Sequence, residues 1–261
     1  MTDQPFAKKS LGQHWLNDRA SLEAMCDAAE VQAQDTVLEI GPGLGSLTQL
    51  LTERAGQVIA VEFDERLARE LPRRVEAGNL QIVSQDIMRF DFGSLPAGYK
   101  LVANIPYYLT SHLIRVLSET ANPPSTAALL VQKEVAERVA AGPGDMSILS
   151  NTTQFYWQVS LGRVVPAELF TPPPKVNSQI LILSRRPDLL FEDVEPKEFF
   201  RIVKAGFAQP RKTLLNNLSA GFQYGRDEAQ SVCDRASIDS KRRAQTLSLD
   251  EWHALYRSLH T

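Results

Sequence analysis

Between about residue 20 and residue 185 the chain alternates short apolar runs with stretches of helical periodicity. An apolar run bounded by turn formers reads as a buried strand, whereas apolar residues recurring every three to four positions read as one face of a helix. DTVLEIGPG (residues 35–43) reads as a strand entering a tight turn, and SLTQLLTERA (46–55) as a helix with Ser46 at the capping position. QVIAVEFD (57–64), NLQIVSQD (79–86) and YKLVANIPY (99–107) read as further strands, and ERLARELPRRV (65–75) and SHLIRVLSET (111–120) as helices. A strand TAALLVQ (126–132) and a helix KEVAERVAA (133–141) follow, and FYWQVSLGRVV (155–165) and SQILILSRRP (178–187) look like late strands. Such alternation predicts an α/β fold, a mostly parallel Rossmann-like sheet with helices on both faces and ligand at the carboxyl ends of the strands.

After the acidic, proline-containing stretch RRPDLLFEDVEPKE (185–198) the periodicity becomes helical: EFFRIVKAGFA, KTLLNNLSAGF, DEAQSVCDRA and LDEWHALYRSL. The expected organisation is an α/β domain over residues 1–187 and a small helical domain over 188–261.

Composition narrows the class. With 43% hydrophobic and 23% charged residues the 261-residue chain sits among soluble globular proteins. It has no apolar run near the length of a membrane span, and its start lacks the apolar core of a signal peptide, so a cytoplasmic protein is expected. Cys26 and Cys233 form no Cys-x-x-Cys pair and read as reduced thiols; the 4 histidines show no metal-ligand spacing. The net charge of −3 argues against nucleic acid as a whole, but residues 197–261 hold 11 Lys+Arg against 7 Asp+Glu, a locally basic C-terminal part.

Two strings carry chemistry. The first is Asn104-Ile105-Pro106-Tyr107. An adenine amine is a poor nucleophile, because its lone pair is delocalised into the ring. A site that activates it must accept both N–H groups and hold the ring flat. The Asn104 side-chain oxygen can accept one and the Ile105 carbonyl the other. Pro106 stiffens the turn that aims them, and Tyr107 can stack on an extruded base. Alone, this short string fits a strand-end turn as well.

The second is Glu39-Ile40-Gly41-Pro42-Gly43-Leu44-Gly45, after a strand and before a helix. It departs from the dinucleotide fingerprint: the third glycine arrives one residue early, and Glu39 precedes the first. An acid there suits a cationic, phosphate-free ligand such as S-adenosylmethionine. Glu62, at the end of the next strand, is placed to accept from ribose hydroxyls, and Asp86, after the third, from an adenine amino group.

With these residues in view the chain resembles the small-subunit ribosomal RNA adenine N6,N6-dimethyltransferases. The strings that carry the likeness span most of it: KKSLGQHWL, LEIGPGLGSLT, NIPY, LVQKEVAERVAAGPG, FTPPPKVNS and GFAQPRKTLLNNL. The resemblance implies a Rossmann-like S-adenosylmethionine-dependent methyltransferase domain, cofactor-binding and catalytic over residues 1–187 with its first 20 residues a lid over the cofactor, and a small helical C-terminal domain over 188–261 that contacts RNA. It implies transfer of methyl groups to N6 of two adjacent adenosines near the 3′ end of 16S rRNA, within the assembling small (30S) ribosomal subunit, by a protein that is a monomer off the ribosome. Carried over residue by residue, it puts cofactor contacts on His14, Leu16, Gly41, Glu62, Asp86 and Asn104, with Gly43 in the same loop. It makes Phe170 the aromatic that closes the far side of the target base, and Lys175, Arg211 and Lys212 phosphate contacts, with Arg201, Lys204, Lys241, Arg242 and Arg243 as further candidates. Trp15 stands where the family usually has Phe, GDMSILS (144–150) follows Gly142-Pro143 where many members carry Lys-x-Tyr-Gly, and Pro210 stands where Arg is common. The alternatives are a 23S rRNA adenine methyltransferase of the antibiotic-resistance type, a non-catalytic RNA-binding relative, and a nicotinamide-dependent dehydrogenase.

Overall fold

The computed structural model describes residues 13–260. The described part of the expected lid is therefore 13–20; residues 1–12 lie outside the described residues. The chain begins with β1 (Trp15–Leu16) and α1 (Arg19–Ala28), whose first turn is capped by the Asp18 carboxylate accepting from Ser21 N–H at 2.9 Å. There follow β2 (Thr36–Ile40), α2 (Ser46–Arg54), β3 (Gln57–Glu62), α3 (Glu65–Arg74), β4 (Leu80–Ser84), β5 (Lys100–Asn104), α4 (Thr110–Glu119), β6 (Thr126–Gln132) and α5 (Lys133–Val139). Next come α6 (Ile148–Tyr156), β7 (Trp157–Val165), β8 (Phe170–Thr171), β9 (Ser178–Arg185), α7 (Pro196–Gly206), α8 (Leu214–Phe222), α9 (Arg226–Arg235) and α10 (Leu249–His260).

Seven strands form one sheet in the order β4-β3-β2-β5-β6-β9-β7. The pairs from β4 through β6 are parallel, and β9 runs antiparallel to β6. The central strands are apolar on both faces (Val37, Leu38, Val58, Ala60, Leu101, Val102 and Leu129 are buried), as a sheet covered by helices on two sides requires. Strand order reverses between β2 and β5, and Ile40 pairs with Ala103, so Gly41 and Asn104 leave neighbouring strand ends at one edge. Ile40 also pairs with Val61, and Glu62 with Ser84, which lines the ends of β3 and β4 along the same edge.

The chain divides into two compact units, one comprising residues up to Ala136 with Gln158–Arg185, the other Glu137–Trp157 with Arg186 onward. A single cut at 187/188 misses the excursion of residues 137–157. Its cause is α6: Phe155 and Tyr156 end this helix rather than open a strand, and the Phe155 ring lies 5.1 Å from Phe199 and 5.2 Å from Phe200 on α7. Ser147 caps α6 in a capping box with Ser150, so GDMSILS is largely a helix start. Ser46 is not a cap: Gly45, at φ +89°, occupies that position, and the Ser46 hydroxyl donates to Asn17 at 3.0 Å.

Candidate active site

A cavity of about 300 Å³ opens at the carboxyl ends of β2, β3, β4 and β5, and is closed from the N-terminal side by residues 13–16. Among the described residues its walls include Glu39, Gly41, Glu62, Asp86, Asn104 and Tyr107. Gly41 and Gly43 adopt φ of +68° and +57°, the left-handed region that side chains rarely enter. A Cβ on Gly41 would meet nothing within 4 Å, so this turn leaves room for a ligand; one on Gly43 would press on the Trp15 ring at 3.3 Å.

The acids have distinct situations. Glu39 is 1% exposed, and among the described residues its Oε2 has no hydrogen-bond partner. Burial pushes its carboxyl up to about 8, opposed by the nearby Thr48 hydroxyl and reinforced by the Glu62 carboxylate. A buried acid with an orphaned oxygen at a cavity wall fits a cationic ligand, which would complete it. Glu62 is buried and its pKa is raised by burial, although it accepts from Asp64 N–H at 2.8 Å and Gly43 N–H at 3.1 Å. It thus braces the glycine turn, and each oxygen keeps a second lone pair for a hydroxyl. The Asp86 carboxylate accepts from Met88 N–H at 2.9 Å, capping a single helical turn at 87–89.

Asn104 ends β5 with its amide held by the N-terminal segment: Nδ2 donates to the His14 carbonyl at 3.1 Å. A carbonyl only accepts, so the amide cannot be flipped and Oδ1 is left to accept from elsewhere. Ile105 is buried, and Pro106, at φ −57°, leads into a turn at 107–109. The Tyr107 hydroxyl shares a hydrogen bond of 2.9 Å with Ser178, and its ring is stacked with His14 at 6.0 Å and 20°. Burial raises the Tyr107 pKa, with the Ser178 bond opposing it.

Phe170 does not join this group. It is 3% exposed, packed in the hydrophobic core with Leu16, its partner in the β1–β8 ladder, and is absent from the cavity wall. Leu16 does line the cavity. Lys175, Arg211 and Lys212 are exposed, the first in one unit and the other two in the second. Arg242 is already paired with Glu251, and Arg201 with Glu198 while its guanidinium lies 4.9 Å over the Phe222 ring. Two residues at the cavity mouth were not anticipated: Tyr108, 70% exposed, and Phe63, 61% exposed. The signal was available, since each directly follows a residue singled out for chemistry, Tyr107 and Glu62.

Residues 6–260 match the ribosomal RNA adenine dimethylase family. A curated relative, ribosomal RNA small subunit methyltransferase A of Dehalococcoides mccartyi, is 41% identical over 253 residues, 95% of this chain and 87% of that protein. The protein of the same name from Bacillus cereus is 37% identical over 265 residues, 97% of this chain and 91% of its own length. Among solved structures, the 23S rRNA methyltransferase ErmE is similar with a TM-score of 0.78 and 28% identity, covering 95% of this chain and 100% of its own. A dimethyladenosine transferase from Plasmodium falciparum gives 0.79 and 26%, covering 93% and 96%.

Proposed function

This chain belongs to the ribosomal RNA adenine dimethylase family, and from that premise we propose that it modifies N6 of two adjacent adenosines near the 3′ end of 16S rRNA in the assembling 30S subunit. It is an S-adenosylmethionine-dependent rRNA adenine dimethyltransferase. When bound, the cofactor supplies an electrophilic sulfonium methyl group. In our reading Glu39 faces its cationic end, Glu62 takes the ribose hydroxyls and Asp86 the adenine amino group. Gly41 and Gly43 let the backbone approach closely, and His14 and Leu16 close the pocket.

The target amine then needs two acceptors. Asn104 Oδ1 accepts one N–H and the Ile105 carbonyl the other. Both favour the positive charge that develops on nitrogen. Pro106 fixes the angle between them, and the Tyr107 ring supports one face of the extruded base. Phe170 is buried in the core beside Leu16, which lines the pocket. The observation that carries the reading is the tethered amide of Asn104, which leaves only its oxygen to face a donor.

Phosphate contact falls to Lys175, Arg211 and Lys212. Leu214 and Leu215, opening α8, donate backbone N–H bonds of 2.7 and 3.0 Å to the carbonyls of Arg242 and Ser240. These bonds tie the segment that carries Lys241 and Arg243 to the start of the helix that follows Arg211 and Lys212, and these four cations are the candidates for RNA contact. Among the described residues no helix is long and apolar enough to cross a membrane. We place the protein in the cytoplasm, a monomer when off the ribosome.

Asn104→Ala should leave S-adenosylmethionine affinity intact and lower turnover by about 10²–10³-fold. Unchanged methyl incorporation overturns the mechanism. Labelled methyl transfer to purified under-methylated small subunits against large subunits tests the substrate: label in large subunits instead moves the reaction to 23S rRNA.

A further inference from the structure

We infer that the His14 side chain is a positioning residue, which fixes the orientation of the Asn104 amide without itself touching the reacting amine; the inference rests on the role given to Asn104 above. His14 joins three segments far apart in the chain. Its carbonyl accepts from Asn104 Nδ2 at 3.1 Å, its ring stacks with Tyr107, and its Nδ1 lies 2.7 Å from the Pro172 carbonyl. Since that carbonyl can only accept, Nδ1 carries the proton, and the ring is anchored as a donor. The next residues continue the attachment, Trp15 pairing with Thr171 and Leu16 with Phe170. The His14 backbone is therefore held on one side by the ladder and on the other by its own ring. Its carbonyl is a fixed point.

That fixed point decides which end of the Asn104 amide meets the substrate. An untethered primary amide has two orientations of similar shape. In one the oxygen faces the target amine; in the other an NH₂ faces an NH₂, and the site repels the group it must activate. The bond to the His14 carbonyl removes the second orientation. The ring supports the same outcome through Tyr107, whose hydroxyl is held at its far end by Ser178 at 2.9 Å. The lid segment would then do more than cover the cofactor: its docking onto residues 170–172 sets the polarity of the acceptor site.

The test uses the full-length protein, under-methylated small subunits and S-adenosylmethionine. His14→Ala should lower kcat by about 10–100-fold, over and above any rise in KM for S-adenosylmethionine from its place in the pocket wall. His14→Asn should restore turnover to within about threefold of the parent, because the Asn Nδ2 occupies nearly the place of Nδ1 and can donate to Pro172. His14→Gln, whose amide reaches toward the position of Nε2, should not. In an Asn104→Ala background, His14→Ala should cost less than about threefold more, since the group it positions is gone. Equal losses in the Ala and Asn variants at unchanged melting temperature overturn the inference. So does a rise in KM for S-adenosylmethionine at constant kcat, or an undiminished further loss on the Asn104→Ala background. An Asn104→Ala protein with full turnover refutes the acceptor reading itself, which is a different outcome from any of these.

Discussion

Replacing Glu39 with Gln should flatten the pH dependence of stability between about pH 4.5 and pH 8. In the folded protein burial raises the Glu39 carboxyl from 4.5 to about 8, and among the described residues no basic side chain offsets the rise. The sign follows from proton counting. Between those values the folded state holds a proton on Glu39 that the unfolded chain releases, so folding is favoured at low pH. The contribution is fully present below about 4.5 and is lost as pH climbs to about 8, above which it stays constant. At about 1.4 kcal/mol per pH unit, the gap caps the effect at about 5 kcal/mol, and relaxation of the site will reduce it. Gln keeps the shape and removes the titration. Urea unfolding of parent and variant at half-unit pH steps, without ligand, reads the effect: the variant should gain relative to the parent as pH rises. A residual slope of the same sign belongs to Glu62, also raised by burial. Parallel curves for the two proteins would show that Glu39 titrates normally. The same linkage predicts that S-adenosylmethionine, arriving as a cation, drives a proton off Glu39 at pH about 6.5. Binding heats should then vary with the ionisation enthalpy of the buffer, and that variation should vanish in Glu39→Gln.

Three further outcomes follow from the geometry. Gly45→Ala should destabilise the first unit by about 2–4 kcal/mol in urea unfolding, because the residue sits at φ +89° and a Cβ would lie 2.8 Å from Val75 and 2.9 Å from Leu71. Gly206→Ala should cost the helical unit about 1–3 kcal/mol, read by denaturant melts, since a Cβ there would lie 2.3 Å from the Trp252 ring. Tyr108→Ala should raise the KM for RNA by about 5–150-fold and leave S-adenosylmethionine affinity unchanged in calorimetry: an exposed aromatic at the cavity mouth is placed to stack on a base beside the target, worth about 1–3 kcal/mol.

What could be read from the chain divides along a physical line. The parallel strands were legible because they carry short apolar runs, broken by Glu39 in β2 and Gln81 in β4, and the placement of the acids and Asn104 because topology fixes strand ends at one edge. Features that depend on distant pairing were not. The two-residue strands β1 and β8 carry no periodic signal, yet their ladder seats Phe170 in the core against Leu16. Helix α6 was hidden because Phe155 and Tyr156 merge in sequence with the strand that begins at Trp157; only their packing against α7 separates the two. Arg242 and Arg201 count as free cations in a sequence, but their partners Glu251 and Glu198 withdraw much of that charge from any phosphate. His14 is the sharpest case. Its partners lie 90 residues away at Asn104 and 158 away at Pro172, so the string that singles out His14 does not announce these contacts. A motif supplies the atoms that accept a hydrogen bond. The orientation of those atoms comes from contacts that close long loops, and short strings of sequence do not encode such contacts.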